Sequence, residues 1–249
     1  DSEAVWDKLP ATPQLSWGTI YTRYPKLSIP EVTKTSRWQT NAWKGERVNA
    51  QAVLWTKSDI KDVTLTVSDL VNGSSVIPAS AISTNFVRYI MTDELNKDRQ
   101  GGCGNRENKA EWDSSIVADV LDIVKVRDIT ARTTQPIWVN IWVPQNSKAG
   151  KYKGILTVSG KDITPTNLQI EINVLNHTLP TPKEWAFHLD LWQNPYAVAR
   201  YYDLPLWSKE HFDAMRPIMK MLANAGQKII TTSIMYKPWA GQTEDHFDS

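Results

Sequence analysis

Apolar and polar residues alternate with a period of two along most of the first 178 residues, the spacing of half-buried strands. Val63–Val67 (VTLTV) shows it most cleanly, and Asn72-Gly73-Ser74 just beyond is a turn signal. The run Trp55–Ile60 closes a short strand. Thr84–Met91, Pro136–Val143, Gly154–Val158 and Asn167–Val174 continue the pattern. Ile137–Val143 (IWVNIWV) is mostly apolar, so both faces of that strand are expected to be covered. Pro144–Gly150 and Ser159–Lys161 read as turns. Many short strands with few helical stretches predict a β-sandwich. Residues 96–113 are polar, carry Gly101, Gly102 and Gly104, and read as a long loop. A glycine-rich loop cradles phosphate where it joins a strand to a helix N-terminus, and no such context surrounds this one.

The pattern changes at Leu179–Pro182 (LPTP), where two prolines make a stiff linker. A strand is expected over Trp185–Leu191, then an aromatic loop over Trp192–Trp207. A helix starts at Ser208, an N-cap residue. Phe212, Met215, Ile218, Met219 and Leu222 fall on one of its faces. Pro217 predicts a kink or restart, and Gly226 sits where a C-cap glycine belongs. Lys228–Met235 reads as another strand. Strand, helix, strand implies a parallel pair, and residues 183–249 are far short of the roughly 250 of a (β/α)₈ barrel. The fold expected is therefore mainly β. An N-terminal sandwich (1–178) and a linker (179–182) precede the first βαβ part of a truncated (β/α)₈ (TIM) barrel (183–249).

Charge narrows the function. Lys plus Arg number 28 and Asp plus Glu 27, a net charge of +1, without the basic excess of a nucleic-acid binder. No apolar run is long enough for a transmembrane segment. The single cysteine, Cys103, builds no disulfide framework or cysteine zinc site. His177, His188, His211 and His246 show no HxxxH or HExxH spacing. No cofactor is expected. Asn72-Gly-Ser and Asn176-His-Thr match a glycosylation pattern. Twelve tryptophans in 249 residues count for more: indole faces fill cores, and they also stack on sugar rings.

Several stretches resemble glycoside hydrolase family 123. Phe187–Tyr196 (FHLDLWQNPY) and Leu206–Phe212 (LWSKEHF) are similar to its first barrel strand and loop. Gly226–Thr231 (GQKIIT) and Pro238–Thr243 (PWAGQT) are similar to its second strand and loop. Trp43–Arg47 (WKGER) with Gln51, Val67–Leu70 (VSDL), Pro136–Trp138 (PIW) and Ala149–Gly154 (AGKYKG) resemble its N-terminal sandwich. The resemblance implies a β-N-acetylgalactosaminidase-type enzyme, usually bacterial and exported, acting on glycans with the substrate's own acetamido group as nucleophile. An adjacent Asp-Glu pair assists in such enzymes: Asp orients the acetamide and Glu protonates the leaving oxygen, outside the usual two-carboxylate scheme. That pair lies on a later barrel strand, so the chain is expected to stop before its catalytic acids and to be inactive alone. A secreted, periplasmic or cell-surface location is expected, with a signal peptide removed.

The substrate-binding candidates follow the predicted barrel strands, where such barrels build their sites. Asp190 near the end of the first strand, flanked by Leu189 and Leu191, is expected to be partly desolvated and to need a partner. A sugar hydroxyl or a structural salt bridge would serve equally. His188 shares its strand face. Trp192, Tyr196, Tyr236 and Trp239 are candidates for a stacking wall, against ordinary packing, and Gln193, with its neighbour Asn194, could supply amide hydrogen bonds. Asp93-Glu94 reads as a solvated turn and Glu244-Asp245 as a surface helix start. The expected partner is a glycan, with self-association through the incomplete barrel and an exposed apolar surface near Ile229, Ile230 and Ile234. Two rivals remain. One is a non-catalytic carbohydrate-binding β-sandwich module using Trp38, Trp43 or Trp112; the other is a purely structural domain.

Overall fold

The computed structural model describes residues 1–92 and 115–230. The chain divides into two compact units, 1–179 and 180–249.

The first unit begins with a short helix, α1 (Glu3–Asp7), and β1 (Gln14–Trp17). β2 (Arg37–Lys44), β3 (Arg47–Thr56), β4 (Ile60–Val67), β5 (Leu70–Asn72) and β6 (Ser75–Ile77) follow. β7 (Ile82–Thr92), β8 (Ser115–Leu121), β9 (Val126–Ile129), β10 (Thr133–Trp142), β11 (Gly150–Ser159) and β12 (Thr166–Thr178) complete it. One sheet runs β1-β3-β10-β7-β8. The other runs β2-β12-β11-β4-β9, with β5 on β11 and β6 on β5. Pairing is antiparallel except between β2 and β12, which run parallel from Arg37 opposite Gln169 to Ala42 opposite Val174.

The core follows from alternation. Tyr152, Leu156 and Val158 of β11 and Leu168, Ile170 and Ile172 of β12 turn inward. They meet Ile137, Val139 and Ile141 of β10 and Ala50, Ala52 and Leu54 of β3, all essentially buried. The apolar run in β10 is covered on this face alone. On the other face Trp138 and Asn140 are half-buried and Trp142 is 37% exposed. Trp138 Nε1 donates to Asn49 Oδ1 at 3.1 Å. β3 is the strand that is buried on both sides, because Trp6 and Tyr24 of the N-terminal segment cover its Val53 and Trp55. The predicted run Trp55–Ile60 is split between β3 and β4. Thr56 Oγ1 donates to the Ser58 carbonyl at 2.8 Å and accepts its N–H at 3.1 Å, so the side chain closes a turn. Asn72-Gly73-Ser74 does turn, with Gly73 at φ +56° and Asn72 opposite Ser75.

In the second unit a single 3₁₀ turn, Pro182–Glu184, follows the proline linker. The predicted strand Trp185–Leu191 reduces to one parallel bridge, Leu189 to Gln227; a full barrel opening is not seen among the described residues. The aromatic loop contains an unpredicted helix, α2 (Pro195–Tyr201), whose N-cap Asn194 accepts from Ala197 N at 3.2 Å. α3 (Lys209–Asn224) is capped by Ser208 and continues through Pro217 without restarting. Pro217 offers no N–H to the Asp213 carbonyl and crowds it, while the Asp213 carboxylate pairs with Lys209 and Arg216. α3 ends in a Schellman motif: Gly226 N–H reaches Ala223 O at 3.0 Å, Gln227 N–H reaches Leu222 O at 3.1 Å, and Gly226 takes φ +99°. Ile229 and Ile230 are 37% and 69% exposed. The predicted 96–113 loop, Cys103, Trp112, Asp93-Glu94, Ile234, His246 and Glu244-Asp245, and all of the second predicted strand beyond Ile230, lie outside the described residues.

The Glu184 carboxylate locks the linker. Its Oε2 accepts the Thr181 hydroxyl at 2.7 Å and the Thr181 N–H at 3.0 Å, which hold the carboxyl below its ordinary value. A carboxyl depressed in the fold stabilises above its unfolded pKa, about 4.3, and the contribution disappears as pH falls through the folded value. The protection factor of the Thr181 amide should therefore fall as pH drops through that depressed value, and Glu184→Gln should remove that pH step. Hydrogen exchange followed by NMR checks both.

Candidate functional site

The aromatic segment of the second unit is organised by two side chains that carry no obvious chemistry. Gln227, just past the glycine cap of α3, turns its amide onto Leu191. Oε1 accepts Leu191 N–H at 3.2 Å, and Nε2 donates to Leu191 O at 3.2 Å and to Ile229 O at 2.8 Å. The side chain thus supplies the ladder partner that the single Leu189–Gln227 bridge does not extend to.

His211, in the first turn of α3, is fully buried. Its Nδ1 lies 3.0 Å from the Trp207 backbone N–H, which can only donate, so Nδ1 is the acceptor. Nε2 then carries the proton and donates to the Pro195 carbonyl at 2.9 Å. One imidazole therefore ties the start of α2 to the start of α3. It also holds Trp207, whose φ of +63° is unusual for a bulky residue, in place for an edge-on contact with Tyr196, ring centroids 5.7 Å apart. Sequence reasoning tested His211 only for metal spacing. The signal it missed was the histidine three residues after an N-cap serine.

The predicted site residues fall around this frame. His188 and Asp190 flank the bridge at Leu189, and both are exposed. Asp190 is therefore not the partly desolvated carboxylate expected, because the strand that would have buried it is reduced to one bridge. Trp192 is 66% exposed. Gln193 is half-buried, and its Nε2 donates to Leu191 O at 2.9 Å and Trp192 O at 3.0 Å. Its amide folds back on its own loop rather than outward. Tyr196 sits on α2, not in a loop. Tyr236 and Trp239 lie outside the described residues. Nearby, Trp185 stacks on Phe187 with centroids 5.5 Å apart. Among the described residues no three His, Cys, Asp or Glu side chains gather as a metal site needs, and no helix is long and apolar enough to cross a membrane. What the segment offers chemically is aromatic surface beside backbone and amide groups, the pairing that sugars stack and hydrogen-bond on.

The sequence profile of the glycoside hydrolase 123 N-terminal domain matches residues 17–160, and that of the glycoside hydrolase 123 catalytic domain matches residues 192–249. The chain belongs to glycoside hydrolase family 123. In fold it is similar to a family 123 glycoside hydrolase from Clostridium perfringens, analysed for glycolipid glycan hydrolysis. The TM-score is 0.80 at 24% identity, over 92% of this chain and 39% of that one. The family 123 chain described here thus spans well under half of that relative. Fainter likenesses carry no argument. One is to AvmM, which catalyses macrocyclization in alchivemycin A biosynthesis, with 6% identity over 69% of this chain and 94% of that one and a TM-score of 0.33. Another is to the periplasmic chaperone SfaE, with 3% identity over 57% of each chain and a TM-score of 0.30. No curated protein matches. The catalytic-domain match begins at Trp192, inside the aromatic segment.

Proposed function

We propose that this chain is the N-terminal portion of a secreted glycoside hydrolase that removes terminal N-acetylhexosamine, as a β-N-acetylgalactosaminide, by a substrate-assisted retaining mechanism. The observation that carries the proposal is the order of the two family 123 domains, sandwich then catalytic segment, with aromatic residues massed where the second begins. A parallel bridge, two helices and an exposed Trp192 support reading 183–249 as the opening of a (β/α)₈ barrel, whose loops at the strand ends hold the sugar. In that reading Ile229 and Ile230 face the strands that follow, or a second copy.

The chain itself is proposed to bind sugar without turning it over. Of the second unit's carboxylates, Glu184 is committed to Thr181 and Asp213 to Lys209 and Arg216. Neither is placed to act as general acid. The test is nitrophenol release from an aryl N-acetyl-β-galactosaminide. The 249-residue chain should release none, and a polypeptide extended through a downstream Asp-Glu pair should release it. The extended protein should leave the aryl β-galactoside that lacks the acetamide intact. Turnover of that galactoside would overturn the substrate-assisted mechanism, and turnover by the chain alone would overturn the placement of the acids. Cell fractionation that found the intact protein in the cytoplasm would overturn export.

A further inference from the structure

The outward face of the sheet β2-β12-β11 has no role in the proposed catalysis. Along β2 the residues that alternate outward are Arg37, Gln39, Asn41 and Trp43, while Ala42 is buried and Trp38 packs on the core. One end of this row is cationic. Glu171 on β12, only 7% exposed, accepts Arg37 Nη2 at 2.7 Å. Lys153 Nζ lies 3.7 Å and Lys151 Nζ 3.9 Å from its oxygens. Three cations thus meet one carboxylate, leaving a surplus of two positive charges. The arginine spends one of its five N–H donors there, and the lysine side chains stay 67% and 70% exposed. A carboxylate that needed only neutralising would be served by Arg37 alone. Beside this cluster a cavity of about 370 Å³ opens over Gly154, lined by Arg37, Lys153, Gln169 and the already paired Glu171. Pockets for small ligands begin at roughly 300 Å³.

The other end of the row is aromatic. Trp43, 43% exposed, pairs with His177 with ring centroids 5.5 Å apart. Between the ends Asn173 Nδ2 donates to Asn41 Oδ1 at 2.9 Å, and Gln39 stands exposed. Six residues of strand separate Arg37 from Trp43, about 20 Å at the usual rise. An aromatic platform, an amide ladder and a cationic pocket in line match an oligosaccharide that is neutral along its length and carries an anion at one end. We propose that this face is a second glycan-binding strip, selective for oligosaccharides with a terminal carboxylate or sulfate, the acid seated at Arg37, Lys151 and Lys153 and a neutral ring on Trp43.

Titration calorimetry of the 249-residue chain tests it with lacto-N-tetraose and with its sialylated and 3′-sulfated forms. At least one charged form should bind tenfold or more tighter than the neutral one, and which does so identifies the acid. Lys151→Gln/Lys153→Gln leaves the Arg37–Glu171 pair in place, so its thermal midpoint should match the parent. It should erase the advantage of the charged form and leave neutral binding unchanged. Trp43→Ala should weaken all forms about tenfold. Equal affinity for charged and neutral forms would overturn the proposal. So would an advantage that survives the double lysine variant, or sedimentation showing the face buried in a dimer that the lysine variant dissociates.

Discussion

Gly226→Ala should lower the stability of the second unit by about 3 kcal/mol, the sum of two costs at one atom. Gly226 sits at φ +99°, and a side chain in the left-handed region costs roughly 1–2 kcal/mol. The new Cβ would also lie 2.5 Å from Trp185 Cε3 and 2.7 Å from its Cζ3, and overpacking of this kind costs about 1–3 kcal/mol. Fewer unfolded conformations return about 0.4–1 kcal/mol of this. Trp185 has little freedom to retreat: its Nε1 donates to Pro180 O at 2.8 Å, its carbonyl accepts from Lys228 Nζ, and its ring stacks on Phe187. Native-state hydrogen exchange separates this effect from the sandwich. Amides of α3 should lose protection about a hundredfold, at 1.4 kcal/mol per factor of ten, while amides of β10 and β12 hold theirs. Unchanged protection in α3 would mean that Trp185 does not pack on the cap as described.

Gly226 was legible in the sequence because a glycine after a helical stripe has few other uses. The same is true of the alternating strands. β4, β7, β11 and β12 contain the runs read from period two, and β10 contains all of its run but Val143, since each presents one face to the core. β2 and β8 were not read. Arg37–Lys44 carries polar residues inward and outward alike, and its one fully buried residue is Ala42. β3 escaped for the opposite reason: burial on both faces erases alternation. The burying segment, Trp6 and Tyr24, comes from a stretch whose own sequence is polar and proline-rich, so no local pattern announces it.

The site was legible as a region and not as an arrangement. The aromatic segment after the linker stood out by composition, and the family 123 resemblance rested there. Yet a period-two reading of Trp185–Leu191 gave a strand where one bridge exists. A ladder needs a backbone partner along its whole length, and Leu191 is met instead by the side chains of Gln227 and Gln193. Hidden too was α2, because seven residues, Pro195–Tyr201, span too few turns to show a helical period and this helix leans on capping and on His211. Candidates chosen for chemistry, Asp190 and His188, are exposed, while the groups that fix the geometry, Gln227 and His211, looked ordinary. Residues that position a loop are chosen by what they reach across the fold, and sequence spacing does not record that.

His211→Ala should cost about 3 kcal/mol and separate α2 from α3. The substitution strands two partly buried backbone groups, the Trp207 N–H and the Pro195 carbonyl, each at about 1–3 kcal/mol where water does not reach it, and leaves a hole where a fully buried ring stood. The two bonds are separable by shape. His211→Gln can place an amide N–H where Nε2 stands and keep the bond to Pro195, but it offers Trp207 nothing at the Nδ1 position. It should fall between the parent and His211→Ala. Trp207 reports the loss directly. With its N–H unheld, the residue has no reason to keep φ at +63°, and the Tyr196–Trp207 ring contact at 5.7 Å should dissolve. NMR should show the ring-current shift of Tyr196 collapsing in His211→Ala and partly retained in His211→Gln. If the aromatic segment is the sugar-binding wall proposed, N-acetylgalactosamine affinity should fall in the same order, although His211 is fully buried and bonded at both nitrogens. An intact Tyr196 signal in His211→Ala would mean that α2 is held by something other than this imidazole.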